Sequence, residues 1–226
     1  MISNKITNLI NAEKKAQQLF DEIELRGLIV ANKLESTLNK EIFNVALELF
    51  GIKKYWHKRI VRAGKNTLLA YKENPEDLII KDDDILFFDF GPVFEEWEAD
   101  FGRTYVLGND TNKIKLKDDI ALAWIEARDY YFLHKLELTG SMYFNYLKTL
   151  APKYGWEWGG PIGGHLIGNF PHEIIQGEEI ENYIHPENNK KMNDLDANGE
   201  NREWILEIHF INKHEEIGGF YEQLLV

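Results

Sequence analysis

The chain has no cysteine among its 226 residues. Disulfides, thiolate metal sites and a cysteine nucleophile are therefore excluded. Nor is there an excess of basic charge: 26 Lys and Arg stand against 38 Asp and Glu, a formal net charge of −12. A nucleic-acid binder would carry a basic footprint, and docking on an anionic membrane would need the same sign. Neither partner is expected. No run approaches the roughly 20 apolar residues of a membrane span. The opening stretch, Met1 to Phe20, carries Lys5, Glu13, Lys14 and Lys15 without a long apolar segment. It does not read as a secretory signal, and a cytoplasmic protein is the expectation.

What is present suits a folded domain. Apolar residues make up 44% and aromatic residues 13%, with six Trp, enough to fill a core. The length fits one sizeable domain, 1–226. Ile6, Leu9, Ile10, Ala16, Leu19, Phe20 and Ile23 recur at helical spacing over 4–26, with Ser3 placed to cap the start and Gly27 to follow the end. Leu38, Ile42, Val45, Ala46, Leu49 and Phe50 repeat the pattern over 37–50, so 1–50 is a helical lead-in. Ile60-Val61, Ile85 to Phe88 and Tyr105 to Leu107 then read as short strands between turns. Helices follow over 115–138 and Ser141 to Tyr154. A polar stretch over 177–200 reads as a long loop, and strands are expected at Trp204–Asn212 and Gly219–Val226. The order of elements predicts an α+β fold.

Several acids sit where apolar residues belong. Asp89 ends the run Ile85-Leu86-Phe87-Phe88, and a buried charge needs a partner. Asp100 lies 11 residues on, within reach of Asp89 across a hairpin. Two adjacent carboxylates repel unless a proton or cation lies between them, yet local hydrogen bonds at a strand end account for this pair equally well. His165 lies in a glycine-rich segment, Gly163-Gly164-His165, and His172 follows seven residues later. Glu207 sits in Ile205-Leu206-Glu207-Ile208-His209-Phe210, sharing a face with His209 while Leu206, Ile208 and Phe210 take the other. Glu222 sits in the last strand. For these two glutamates an edge strand with its acids in water is the bland alternative.

Taken together, these residues resemble the pita-bread metallopeptidases, a family that includes methionine aminopeptidases, aminopeptidase P, prolidases and creatinase-like enzymes. The family pattern is Asp, Asp eleven residues on, His, Glu, Glu. Asp89, Asp100, His165, Glu207 and Glu222 fill it in order. Asp100 to Thr104 resembles the second-aspartate segment with its Arg-Thr. The His165–His172 spacing and Glu173 also match, and Ile60 to Asn66 looks like the lead-in of the aminopeptidase P and prolidase branch. The likeness covers roughly residues 10–226.

The resemblance implies one curved antiparallel sheet flanked by helices. It also implies two divalent cations (Mn, Co, Zn or Fe), about 3.5–4 Å apart, activating a bridging hydroxide. Asp89 would chelate one cation, Asp100 and Glu222 would bridge both, and His165 and Glu207 would complete the other. Glu207 would also act as general acid/base, and His172 would hydrogen-bond the substrate or the tetrahedral intermediate. The implied function is an aminopeptidase or Xaa-Pro peptidase acting on short peptides, with a homodimer as the assembly considered. The alternatives are a non-peptidase hydrolase on the same fold and a catalytically impaired, partner-binding homologue.

One position departs from the pattern. The family has a histidine five residues after the asparagine of its Gly-x-Asn segment, and counting from Asn66 reaches Tyr71. Tyrosine can donate a hydrogen bond there but cannot serve as an imidazole at neutral pH. His57 and His209 are read as structural. Only about 50 helical residues precede the catalytic region, and the 177–200 loop is placed to build part of the pocket.

Overall fold

The two opening periodic segments fold as α1 (Asn4–Leu25) and α2 (Glu35–Phe50). A computed structural model describes residues 4–226; Ser3, expected to cap α1, lies outside the described residues. The strands are β1 (Ile60–Ala63), β2 (Ile85–Phe90), β3 (Val93–Phe94), β4 (Trp97–Glu98), β5 (Phe101–Val106), β6 (Glu157–Trp158), β7 (Gly164–Leu166), β8 (Trp204–Asn212) and β9 (Ile217–Leu224). Between β5 and β6 run α3 (Thr111–His134) and α4 (Gly140–Tyr154). Asp110 starts α3 by accepting the Asn112 and Lys113 amides at 2.9 and 3.0 Å, which satisfies two donors a helix start leaves unpaired. The expected helix over 115–138 ends at His134, and Leu138 lies beyond it, though still fully buried.

The main sheet runs β1-β2-β5-β9-β8-β6, with β7 also on β8, and every pairing is antiparallel. This is the α+β architecture expected. Alternation along the strands sorts the core. Leu86, Phe88 and Phe90 of β2 pack with Leu19, Phe20, Leu38 and Ile42 of α1 and α2. Leu206, Ile208 and Phe210 of β8 pack with Ile120, Trp124 and Leu147 of α3 and α4. Each such side chain, fully buried, contributes about 1.5–3 kcal/mol. The helices thus cover the face opposite Asp89 and Glu207, with α1 also reaching Ile205 and Leu224 through Leu9. Among the described residues no helix is long and apolar enough to cross a membrane.

Two features differ from the sequence expectation. The glycine-rich stretch before His172 contains β6 and β7, which local propensity disfavours; pairing with β8 imposes them. The last strand spans 217–224 rather than 219–226, because its pairing with β8 starts as soon as the turn closes, at Asn212↔Ile217.

Candidate functional site

Strand register builds one row of residues across four strands. Asp89 of β2 pairs with Gly102 of β5, Gly102 with Glu222 of β9, and Glu222 with Glu207 of β8. Directly opposed residues share a face, so the three acids point the same way. Gly102 adds nothing between them; a Cβ there would lie 2.7 Å from the Phe220 ring and 3.0 Å from the Glu222 Cβ. Asp100 stands just ahead of β5, and the small β3–β4 hairpin fills the gap after Asp89. β7 brings in His165, opposite Ile205. Arg103 and Thr104 clamp β9 onto β5. Arg103 donates to the Glu222 carbonyl at 2.9 Å and lies between the Phe101 and Tyr221 rings. The Thr104 hydroxyl donates to the Phe220 carbonyl at 2.8 Å and accepts the Phe220 amide at 2.7 Å.

The side chains converge. The potential donor atoms of Asp100, His165 and Glu222 lie within 4.8 Å of one another, and those of His57, Asp89 and Asp100 form a second such group sharing Asp100. The His165 Nε2 is 3.0 Å from Asp100 Oδ2, and the His57 Nε2 is 3.2 Å from Asp100 Oδ1 and 3.4 Å from Asp89 Oδ1. Asp89, Asp100, His165 and Glu222 are all buried. Glu207 belongs to neither group of three and joins the cluster from across the ladder.

Burial dominates the electrostatics. It pushes the carboxyl of Asp89 up to about 7 and that of Glu207 up to about 8, and raises Glu222 well above the usual carboxylate range, with Asp100 adding to the rise. Burial opposes ionisation of Asp100 as well, but the His57 and His165 imidazoles outweigh it and hold Asp100 low. For His57, burial is outweighed by Asp89 and Asp100, and the ring rises to about 9. Four acids this close cannot all ionise without compensating charge. Glu207 Oε1 and Glu222 Oε2 are buried with no hydrogen-bond partner. Oxygens left open this way, beside imidazoles, fit a site for divalent cations with mixed O and N ligands.

A cavity of about 660 Å³ opens over the cluster, its wall including Trp56, Tyr71, Ile162 and Phe220. The 177–200 segment adds Glu179, Ile180, Tyr183 and His185. His172 lines it too, donating from Nδ1 to Glu98 Oε2 at 3.0 Å, its ring stacked on Trp56 with centroids 4.0 Å apart and planes 11° apart. Tyr71 lies at the rim, 46% exposed. Its hydroxyl accepts the Lys58 amide at 3.3 Å and its ring meets His57 edge-on. His209 lines the cavity too; its Nε2 is 2.8 Å from the Thr67 carbonyl, and burial lowers the ring to about 4.

His57 is the residue whose position the sequence does not show. Its sequence context suits a structural residue, and the structure sets it among the carboxylates. Local pattern carries no sign of this, since Tyr55-Trp56-His57 lies outside any strand. The signal lay in the pairing of β1 with β2: Ile60 opposes Asp89, so the residues just before Ile60 run alongside Gly91 and Pro92, at the end of β2.

Solved structures of the same fold include a recombinant prolidase from Thermococcus sibiricus (TM-score 0.71, 22% identity, 96% of this chain and 55% of that one). A dipeptidase from Pyrococcus horikoshii aligns with a TM-score of 0.72 at 19% identity, over 95% of this chain and 55% of that one. An X-Pro aminopeptidase from Thermotoga maritima gives 0.70 at 18% identity, over 97% and 61%. At these identities the likeness shows the fold, and the chain spans little more than half the length of each protein. No protein of curated description matches the sequence. The model of metallopeptidase family M24 matches residues 7–195, taking in Asp89, Asp100, His165 and His172 and stopping short of β8 and β9. The match covers most of the chain, and the protein belongs to the M24 metallopeptidases.

Proposed function

We propose that the protein is a dinuclear metal-dependent hydrolase that cleaves short peptides, acting as an aminopeptidase or Xaa-Pro peptidase in the cytoplasm. One observation carries the reading: buried carboxylates and imidazoles meet in two donor groups that share Asp100, beneath a cavity of peptide size. Asp89, Asp100, His165, Glu207 and Glu222 would hold the ions. Two bound divalent cations would supply an acidified water and an electrophile for the scissile carbonyl.

The chain's own residues supply the rest. Glu207, set opposite Glu222 on the neighbouring strand and facing the cavity, is placed to take a proton and return it to the leaving amine. His172 is held against Trp56 by stacking and oriented by Glu98, so it can hydrogen-bond the substrate carbonyl as charge develops. Apolar wall residues such as Ile162, Ile180 and Phe220 exclude water and suit apolar or prolyl side chains. Proteins of this fold bear the names prolidase and X-Pro aminopeptidase, so Xaa-Pro peptides head the substrate panel. A non-peptidase hydrolase is the second reading, and Tyr71 at the rim is what favours it.

The test is metal content and hydrolysis together. Purified protein should bind about two divalent ions per chain and, loaded with Mn or Co, cleave members of a di- and tripeptide panel; Asp100→Ala should lose both properties. Metal binding unchanged in Asp100→Ala sinks the site. Metal binding without cleavage of any peptide turns the assignment to the second reading, which a metabolite panel then tests.

A further inference from the structure

His57 and His165 face Asp100 from opposite sides in the same way. The Nδ1 of His165 is 2.7 Å from the carbonyl of the next residue, Leu166, and its Nε2 is 3.0 Å from Asp100 Oδ2. The Nδ1 of His57 is 2.7 Å from the carbonyl of the next residue, Lys58, and its Nε2 is 3.2 Å from Asp100 Oδ1. A carbonyl only accepts, so each Nδ1 carries the proton and each Nε2 is aimed at the carboxylates. That is how a metal-binding histidine is held: one nitrogen is tied to a backbone oxygen and the other is left for the ion.

The placement of His57 is built in by tertiary packing. Its segment has no regular structure, but the Trp56 amide donates to the Gly91 carbonyl at 3.0 Å, and the Trp56 indole donates to the Ala99 carbonyl at 3.1 Å. A Cβ at Gly91 would sit 2.3 Å from both the His57 ring and the Trp56 Nε1, so glycine is required for the close approach. A histidine that merely braced this segment would need one partner at Nε2. This one meets carboxylates from two positions, and among the described residues it is the ion-pair partner of Asp89.

We infer that His57 is a sixth protein ligand, on the Asp89 side of the site, so that each of two cation positions receives one imidazole and Asp100 spans them. The inference rests on the dinuclear reading above. It places the second imidazole among the metal ligands rather than opposite the substrate, where Tyr71 leaves none.

Titrating metal-free protein with Co²⁺ tests it, followed by calorimetry and by visible d–d absorption. Wild type should bind two equivalents. His57→Ala should keep one and bind the second at least about 10–100-fold more weakly, with the absorption of one Co²⁺ changed; His165→Ala should weaken the other. Two sites of wild-type affinity and spectrum in His57→Ala overturn the inference and leave the dinuclear reading standing. Fewer than two equivalents in wild type overturn both. A measurement on wild type alone covers the case of a variant that does not fold. Co²⁺-loaded protein should show two exchangeable, hyperfine-shifted imidazole N–H resonances, from His57 and His165, that vanish in D₂O. A single resonance overturns the inference.

Discussion

Glu207 and Glu222 stand directly opposite each other on β8 and β9, each with one carboxylate oxygen buried and unpartnered. Like charges so placed destabilise a ladder. A protein that keeps them must put a proton or a cation between them, and which of the two is present sets how stability depends on pH.

For the ion-free protein the direction follows from the shifted groups. Asp89, Glu207 and Glu13 are raised to about 7, 8 and 8 by burial. An acid raised on folding contributes stability that is full below its ordinary value and lost as pH rises through the folded one. His57, raised from 6.5 to about 9, loses its contribution in the same direction. His209, lowered to about 4, works the opposite way but only below 6.5. Urea-unfolding stability of metal-free protein is therefore expected to fall between pH 6.5 and 9, and saturating divalent cation should reduce the fall by replacing the protons of the site residues, leaving the part due to Glu13. A flat or rising profile for the metal-free protein across that window contradicts the assignment.

Thr104→Val should destabilise the protein by about 1–3 kcal/mol. The shape is kept, but the buried Phe220 amide and carbonyl lose the hydroxyl that serves both. That hydroxyl matters because β5 and β9 share one ladder pair, Gly102↔Glu222. The urea midpoint measures it; a change below about 0.5 kcal/mol would show that water serves those groups equally well.

Gly91→Ala should cost about 1–3 kcal/mol from overpacking, since the new methyl falls 2.3 Å from Trp56 and His57. The His57 ring or the Trp56 indole must shift to make room. Histidine NMR shifts report the displacement and thermal unfolding reports the cost. Wild-type values for both would mean that the 53–57 segment yields freely.

Trp56→Leu removes the plane on which His172 rests. A stacked pair contributes about 0.5–1.5 kcal/mol beyond its buried area, and loss of that much orientation lowers a rate by about 2–10-fold. If the peptidase reading holds, kcat should fall by at least that much, and because the indole also anchors the His57 segment through Ala99, the binding of one cation should weaken with it. Unchanged kinetics would remove His172 from the chemistry or Trp56 from its support.

Helical spacing in α1 and α2 and side-chain alternation in β8 were enough to find those elements and to set Glu207 opposite Leu206 and Ile208, because both periods are properties of the local backbone. The order of Asp89, Asp100, His165, Glu207 and Glu222 along the chain was enough to suggest a shared site. Chain order could not say which residues stand opposite one another. The row Asp89, Gly102, Glu222, Glu207 depends on register between paired residues up to 120 positions apart in sequence. β6 and β7 exist only because β8 offers an edge to pair with. His57 was illegible for the same reason: its segment has no periodicity of its own, and contact with a glycine 34 residues away brings its imidazole to Asp89 and Asp100. Local pattern reports what a segment prefers, whereas the composition of this site was decided by long-range backbone approach.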